Sequence, residues 1–239
     1  MNRMPKMTLT RLLLPAALLA TLAGCSILSG GDRGPGTIYS PALQVQVDPS
    51  WPQVDWQLVL SKPSATRMID SPRINVRPHP GELEIYAGAT WAQPSTDMIE
   101  DALLRGFEDS GRIAGVARSS AGIRADYRLA TDIRRFESDY RGQSTPTVVI
   151  ALNAKLIHVV DQRVVVDRTF HQEQPVGSTD VPAVAAAFEK GLSQLATDVV
   201  GWTLVNGQQD AAKKAPAVTP SPATPVPASR PAVFPPPVR

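Results

Sequence analysis

The 239-residue chain has 24 Lys and Arg against 22 Asp and Glu, a formal net charge of +2, and contains one cysteine and 23 prolines. A single thiol excludes an internal disulfide framework and any cysteine-rich metal site. The basic excess sits at the two ends: Arg3, Lys6 and Arg11 at the start, and Lys213, Lys214, Arg230 and Arg239 against Asp210 from Gly207 onward, which leaves 17 basic and 21 acidic residues for the 26–206 segment. The alkaline whole-chain isoelectric point therefore does not mark a nucleic-acid surface, and that segment has no Lys/Arg cluster interleaved with aromatics. Nucleic acid is not an expected partner. A segment of about 180 residues is enough for one domain, and without disulfides its stability must come from packing.

The first residues read as a signal peptide. Arg3, Lys6 and Arg11 form a basic flank without an acidic residue, Leu12 to Leu22 form an apolar run, and small Ala23 and Gly24 precede Cys25. That run is shorter than the roughly 20 residues a bilayer span requires. The stretch Leu22-Ala23-Gly24-Cys25 resembles the lipobox of bacterial lipoproteins. The resemblance implies cleavage after residue 24, diacylglycerol on the Cys25 thiol and an acyl group on the new amino terminus. Two or three acyl chains anchor a protein firmly, where one chain binds only marginally. Cys25 is thus expected as a lipid attachment point, and no cofactor is expected beyond that covalent lipid. Ser26 follows it, where inner-membrane lipoproteins of enterobacteria carry Asp, and this implies the periplasmic face of the outer membrane.

Residues 25–36 are glycine-rich and read as a lipidated flexible tether, and 37–206 as the folded domain. Within it, Trp56–Leu60, Arg73–Arg77 and Glu82–Ala87 read as strands, with His79-Pro80-Gly81 as the turn between the last two. "PSTDMIEDALLRGFEDSG" predicts a helix. Ser95 or Thr96 is expected to cap it, Asp97, Glu100 and Asp101 to favour its first turns, and Gly111 to stop it. "SGRIAG" reads as a helix stop and a loop. Three longer β segments follow in 126–174, the last two joined by a turn at Asp161-Gln162 that would pair positions whose numbers sum to 323. "STDVPAVAAAFEKGLSQLATDVVGWTLVN" predicts an amphipathic helix capped by Asp180, with Val184, Phe188, Leu192, Leu195, Val199 and Trp202 as its buried stripe. The order βββαβββα predicts an α+β domain: a mainly antiparallel sheet with two principal helices on one face. Residues 207–239, rich in Pro and Ala, are expected to stay disordered, either as a spacer or docking tail or as a dispensable end.

Chemistry-bearing motifs are scarce. His79, His158 and His171 have no metal-ligand spacing, and the pairing above separates the last two on the sheet. There is no GxSxG, P-loop or GxGxxG pattern. Glu82, Glu84, Asp126 and Asp132 read as solvated strand faces, and Arg134-Arg135 beside Glu137 and Asp139 as a salt-bridged exposed strand end. No catalytic residue and no metal ligand is assigned.

The segment Gly81–Gly111, with Glu82-Leu83, Tyr86-Ala87 and Trp91-Ala92-Gln93-Pro94 leading into a helix, resembles the ABC-type transport auxiliary lipoprotein family, which includes the PqiC/YmbA-like lipoproteins. "SPRINVRP", "IYSPALQV", "ADYRLATDIRRFE" and "VVIALNAKLIHV" follow the same order, so the resemblance covers roughly residues 37–205; the Pro/Ala tail lies outside it. Trp91 with Pro94 has two readings, a plug at the core edge or a partner contact.

The resemblance implies a non-enzymatic, membrane-anchored periplasmic accessory of an ABC transport system that moves lipids or other hydrophobic solutes between membranes. Its partners would be an MCE-domain substrate-binding protein and the ABC permease and ATPase, and homo-oligomerisation around that protein is compatible with it. Two alternatives stay open: an envelope lipoprotein of another outer-membrane assembly or a cell-wall tether, and a periplasmic enzyme with a dispersed site.

Overall fold

The structure, a computed structural model, describes residues 36–214. The signal peptide, Cys25, the tether up to residue 35 and the tail from residue 215 lie outside the described residues. The elements in chain order are β1 (Thr37–Tyr39), β2 (Val54–Leu60), β3 (Ser64–Ala65), β4 (Arg73–Arg77), β5 (Glu84–Trp91), α1 (Ser95–Ser110), β6 (Ile113–Arg118), β7 (Tyr127–Asp139), β8 (Thr147–His158), β9 (Arg163–Pro175) and α2 (Val181–Lys214). The domain is α+β with two α-helices, as expected, but its nine strands form one mixed sheet in place of the mainly antiparallel one. Five of the eight strand pairings are parallel; the three antiparallel ones include the long β7–β8 and β8–β9 ladders.

The reason lies in β7. One edge of this 13-residue strand pairs with β8. Along its other edge lie three short parallel strands end to end: β2 beside Tyr127–Leu129, β3 beside Asp132–Ile133 and β4 beside Ser138–Asp139. A single strand thus organises two wings, β2–β6 and β4–β5–β1. The segment Ile113–Arg118, expected as loop, is the edge strand β6, parallel to β2. Five of its six residues are partly buried, and with Gly115 among them this masks the period-two signal.

Local details correct the expectations at three further points. Pro94 occupies the N-cap of α1 and no side chain caps it. Ser95 and Thr96 use their hydroxyls outward instead, donating to the Ile69 carbonyl and the Asp70 carboxylate at 2.6 Å each, which ties the helix start to the 66–71 turn. The β8–β9 connection spans 159–162 with Gln162 at φ 54°, so Leu152 faces Phe170, Ala151 faces His171 and His158 faces Arg163. That register is one residue tighter than expected over most of the ladder. The closing helix runs to Lys214, past the expected end at residue 206.

The core lies between the helices and the sheet face bearing Val148, Ile150, Leu152, Ala154 and Leu156, all fully buried. The expected stripe of α2 packs against it, with Trp202 only partly buried. In β5, two steps from Arg73 to Asn75 on β4 are matched by five from Ile85 to Thr90, a bulge that Gly88 relieves at φ 68°. The bulge turns Trp91 inward onto Phe188 and Phe136, with ring centroids 5.1 and 6.2 Å away.

Two other tryptophans seat on glycines of α2. A Cβ at Gly201 would lie 2.6 Å from Trp51 Nε1, and one at Gly207 would lie 2.5 Å from Trp56 Cζ2. In an exposed helix, Gly→Ala stabilises by about 1 kcal/mol; here overpacking costs about 1–3 kcal/mol. Gly207→Ala and Gly201→Ala are each expected to lower the urea midpoint. A raised midpoint would show that the rings are not wedged against the helix backbone.

Candidate functional site

Of the residues assigned from sequence, Cys25 lies outside the described residues. Trp91 is 2% exposed and holds the core between Tyr39, Phe136 and Phe188, while Pro94 starts α1. The histidines stand apart: His158 Nδ1 is 2.7 Å from Asp161 at the β8–β9 turn, and His171 Nε2 is 2.8 Å from Glu173 on β9. Asp126 accepts the Gln57 amide and Asp132 the Ser64 hydroxyl, so these carboxylates serve strand pairing and do not converge with Glu82 or Glu84. Among the described residues no group of three His, Cys, Asp or Glu side chains could hold a metal ion, and no helix is long and apolar enough to cross a membrane.

What the fold does build is a strap. After β1 the chain runs extended over residues 40–48 beside α2. The backbone N–H groups of Ala42, Gln44 and Gln46 donate to Glu189 Oε2, Ser193 Oγ and Thr197 Oγ1 at 3.0, 3.1 and 3.0 Å. Two residues of extended chain advance about 6.6 Å and four residues of helix about 6 Å, so alternate strap amides stay in step with every fourth helix residue. Thr197 donates its own hydroxyl proton to the Ser193 carbonyl at 2.8 Å, which leaves its oxygen lone pairs for Gln46. The intervening Leu43 and Val45 turn inward, and Val45 fills the notch at Gly106 of α1 beside Val200 of α2. The segment that follows β1 is therefore clamped across both helices. The polar set Glu189, Ser193 and Thr197 was missed from sequence, although its spacing of four along one helix edge was a usable signal.

The strap separates two open grooves. One of about 350 Å³ lies against α1 and includes Leu43, Met98 and Arg105. The other, about 710 Å³, lies against α2 and includes Val47, Trp51, Asp198 and Trp202. Neither assembles a nucleophile with a base among its lining residues.

The opposite face of the sheet carries an ion network. Arg77 donates to both Glu137 oxygens at 2.9 and 3.0 Å, and Arg135 bridges Glu137 and Asp139. Arg141 grips Glu173 with two bonds of 3.0 and 2.6 Å. Glu137 and Asp139 are buried, which corrects the expectation of an exposed strand end. Burial alone would raise the Glu137 carboxyl, but the bonds from Arg77 and Arg135 outweigh it and hold it below the usual range. Asp139 is lowered in the same way by Arg135 and the Arg141 amide. Glu173, held chiefly by Arg141 and then by His171, is lowered to about 2.

Carboxyls lowered by folding contribute stability above their unfolded pKa of about 4 and lose it as pH falls through the folded values. The domain is expected to weaken from about pH 5 toward pH 2. Glu137→Gln should cost about 2 kcal/mol at pH 7, discounted from a fully buried pair because the arginines reach solvent, and should flatten the acid limb of a urea midpoint-against-pH curve. An unchanged acid limb would remove Glu137 from this role.

Comparison with known proteins places the domain. Residues 37–200 match the family described as the ABC-type transport auxiliary lipoprotein component. The crystal structure of protein XCC0632 from Xanthomonas campestris is 62% identical, with a TM-score of 0.71 over 74% of this chain and 99% of that one. A second solved structure, of an uncharacterized protein, shares 16% identity and a TM-score of 0.56 over 70% of this chain and 97% of that one, which shows the fold alone. Uncharacterized protein bll6063 of Bradyrhizobium diazoefficiens is 26% identical over 185 residues, 77% of this chain; the chain spans about half (49%) of that relative's length. The chain belongs to the ABC-type transport auxiliary lipoprotein component family.

Proposed function

We propose that this lipoprotein is the non-enzymatic accessory of an ABC transport system that carries lipids or related hydrophobic solutes between the inner and outer membranes. The observation that carries the reading is the family match over residues 37–200, which spans the domain from β1 into α2. Acyl chains on Cys25 hold one end in the outer membrane, and the domain engages an MCE-domain substrate-binding protein that works with the ABC permease and ATPase. The strap supports an adaptor role. Ala42 lies 17 positions after Cys25, and from there the chain is bonded to α2, so load applied at the lipid reaches the closing helix within a short length of chain. The ordered side chains are spent on strand pairing, strap bonds and ion pairs, which suits a rigid docking body better than a reaction centre.

Cross-linking the tagged lipoprotein in its native membranes, followed by pull-down and mass spectrometry, tests this directly. An MCE-domain protein with its ABC subunits is expected in the eluate, and a Cys25→Ser copy should lose most of that yield. Recovery of cell-wall or outer-membrane assembly proteins alone would overturn the reading in favour of another envelope assembly or a tether.

A further inference from the structure

We propose that the groove against α2 is a binding site for the chain's own proline-rich C-terminal segment, with "VFPPPVR" (233–239) as the part that seats. The groove follows α2 from Gln194 to Asn206, about 18 Å of helix. It combines the features that recognise an extended proline-rich strand. Trp51 and Trp202 give it aromatic walls. Val47 and Val205 are 39% and 36% exposed, leaving apolar surface uncovered beside them. Gln46, Gln194 and Asn206 give it a polar rim. Proline fixes φ near −65° and has no N–H, so such a strand presents carbonyls and apolar rings at low entropic cost.

Charge agrees with this occupant. Asp198 accepts Gln172 Nε2 at 2.7 Å and Gln194 Nε2 at 2.9 Å, both neutral donors, and is in no ion pair among the described residues. Asp48 lies at the other rim. Beyond Lys214 the only charged side chains of the sequence are Arg230 and Arg239, both cationic. Arg168, which also lines the groove, is stacked 4.8 Å above the Phe170 ring.

Reach and length agree as well. Lys214 lies nine helix positions beyond Val205, about 14 Å. Residues 215–232 supply 18 residues of chain, which at about 3.1 Å each can reach well past that distance. The seven residues 233–239, at about 3.1 Å each, cover about 22 Å, close to the length of the groove. Linkage in cis gives the segment an effective concentration near millimolar, so a weak contact suffices. This site does not depend on the transport reading. Segment 215–239 would then compete in cis with any partner of the same groove.

The test uses the full chain with p-benzoylphenylalanine in place of Phe234, photolysed in detergent at low protein concentration. Cross-links within one chain to residues 46–51 or 194–206 are expected. Val205→Lys should lower their yield about tenfold, the effect of losing one anchor. Because that change touches the helix, a second variant, Arg230→Gln with Arg239→Gln, alters only the segment and should also reduce the yield, as should high salt. Cross-links scattered over the domain, insensitive to both variants, would overturn the site. Cross-links found only between copies, or only to another protein, would overturn binding in cis.

Discussion

Everything in this domain is referred to one helix. α2 receives the sheet on one stripe, the Trp91–Phe188–Phe136 cluster near its start, Trp51 at Gly201 and Trp56 at Gly207. At its far end Asp210 accepts the Tyr127 hydroxyl at 3.0 Å and an Arg163 bond at 2.7 Å. These contacts fix the helix along its axis and about it, since a ring on a glycine tolerates neither a shift nor a rotation. Burial and the Asp210 bond together hold the Tyr127 hydroxyl well above its ordinary pKa, so it stays a donor. The strap can read helix positions 189, 193 and 197 only because the helix is held in that register.

The two sheet faces divide the labour. The inner face of β7, β8 and β9 is apolar and packs on α2. The outer face around Arg77, Arg135, Glu137, Asp139, Arg141 and Glu173 is a charge lattice across β4, β7 and β9. Carboxylates and guanidiniums alternate there, each meeting partners of opposite sign. Buried pairs of this kind give modest net stability and penalise any slip that would strand one charge. They suit β7, which must keep register with β8 on one edge and with three separate short strands on the other.

Elements with long, regular patterns were legible from sequence: α1, β7, β8, β9 and the start of α2, together with the buried stripe Val184, Phe188, Leu192, Leu195 and Val199. The sheet's sense was not. Parallel pairing of β2, β3 and β4 with β7 is a long-range choice that leaves no local trace, and β3 has only two residues. β6 was hidden because a partly buried edge strand with a glycine does not alternate cleanly. Ser95 and Thr96 looked like caps because hydroxyls at a helix start usually serve that way, yet tertiary acceptors at Ile69 and Asp70 claimed them. Trp91 was legible as a position but not as one of three tryptophans held by α2. The strap was the least legible, since an extended segment bonded to helix side chains carries neither a period of 2 nor one of 3.6 in its own residues.

The segment after β1 is an integral part of the fold, bonded to α2 through Ala42, Gln44 and Gln46 and packed against α1 through Val45. Residue-resolved hydrogen exchange on the intact chain tests this most directly. The Ala42, Gln44 and Gln46 amides are predicted to be protected together with the 189–197 stretch of α2, and Ser193→Ala with Thr197→Ala is predicted to release Gln44 and Gln46 while α2 stays protected. Strap amides exchanging at the rate of an unstructured chain beside a protected helix would contradict it.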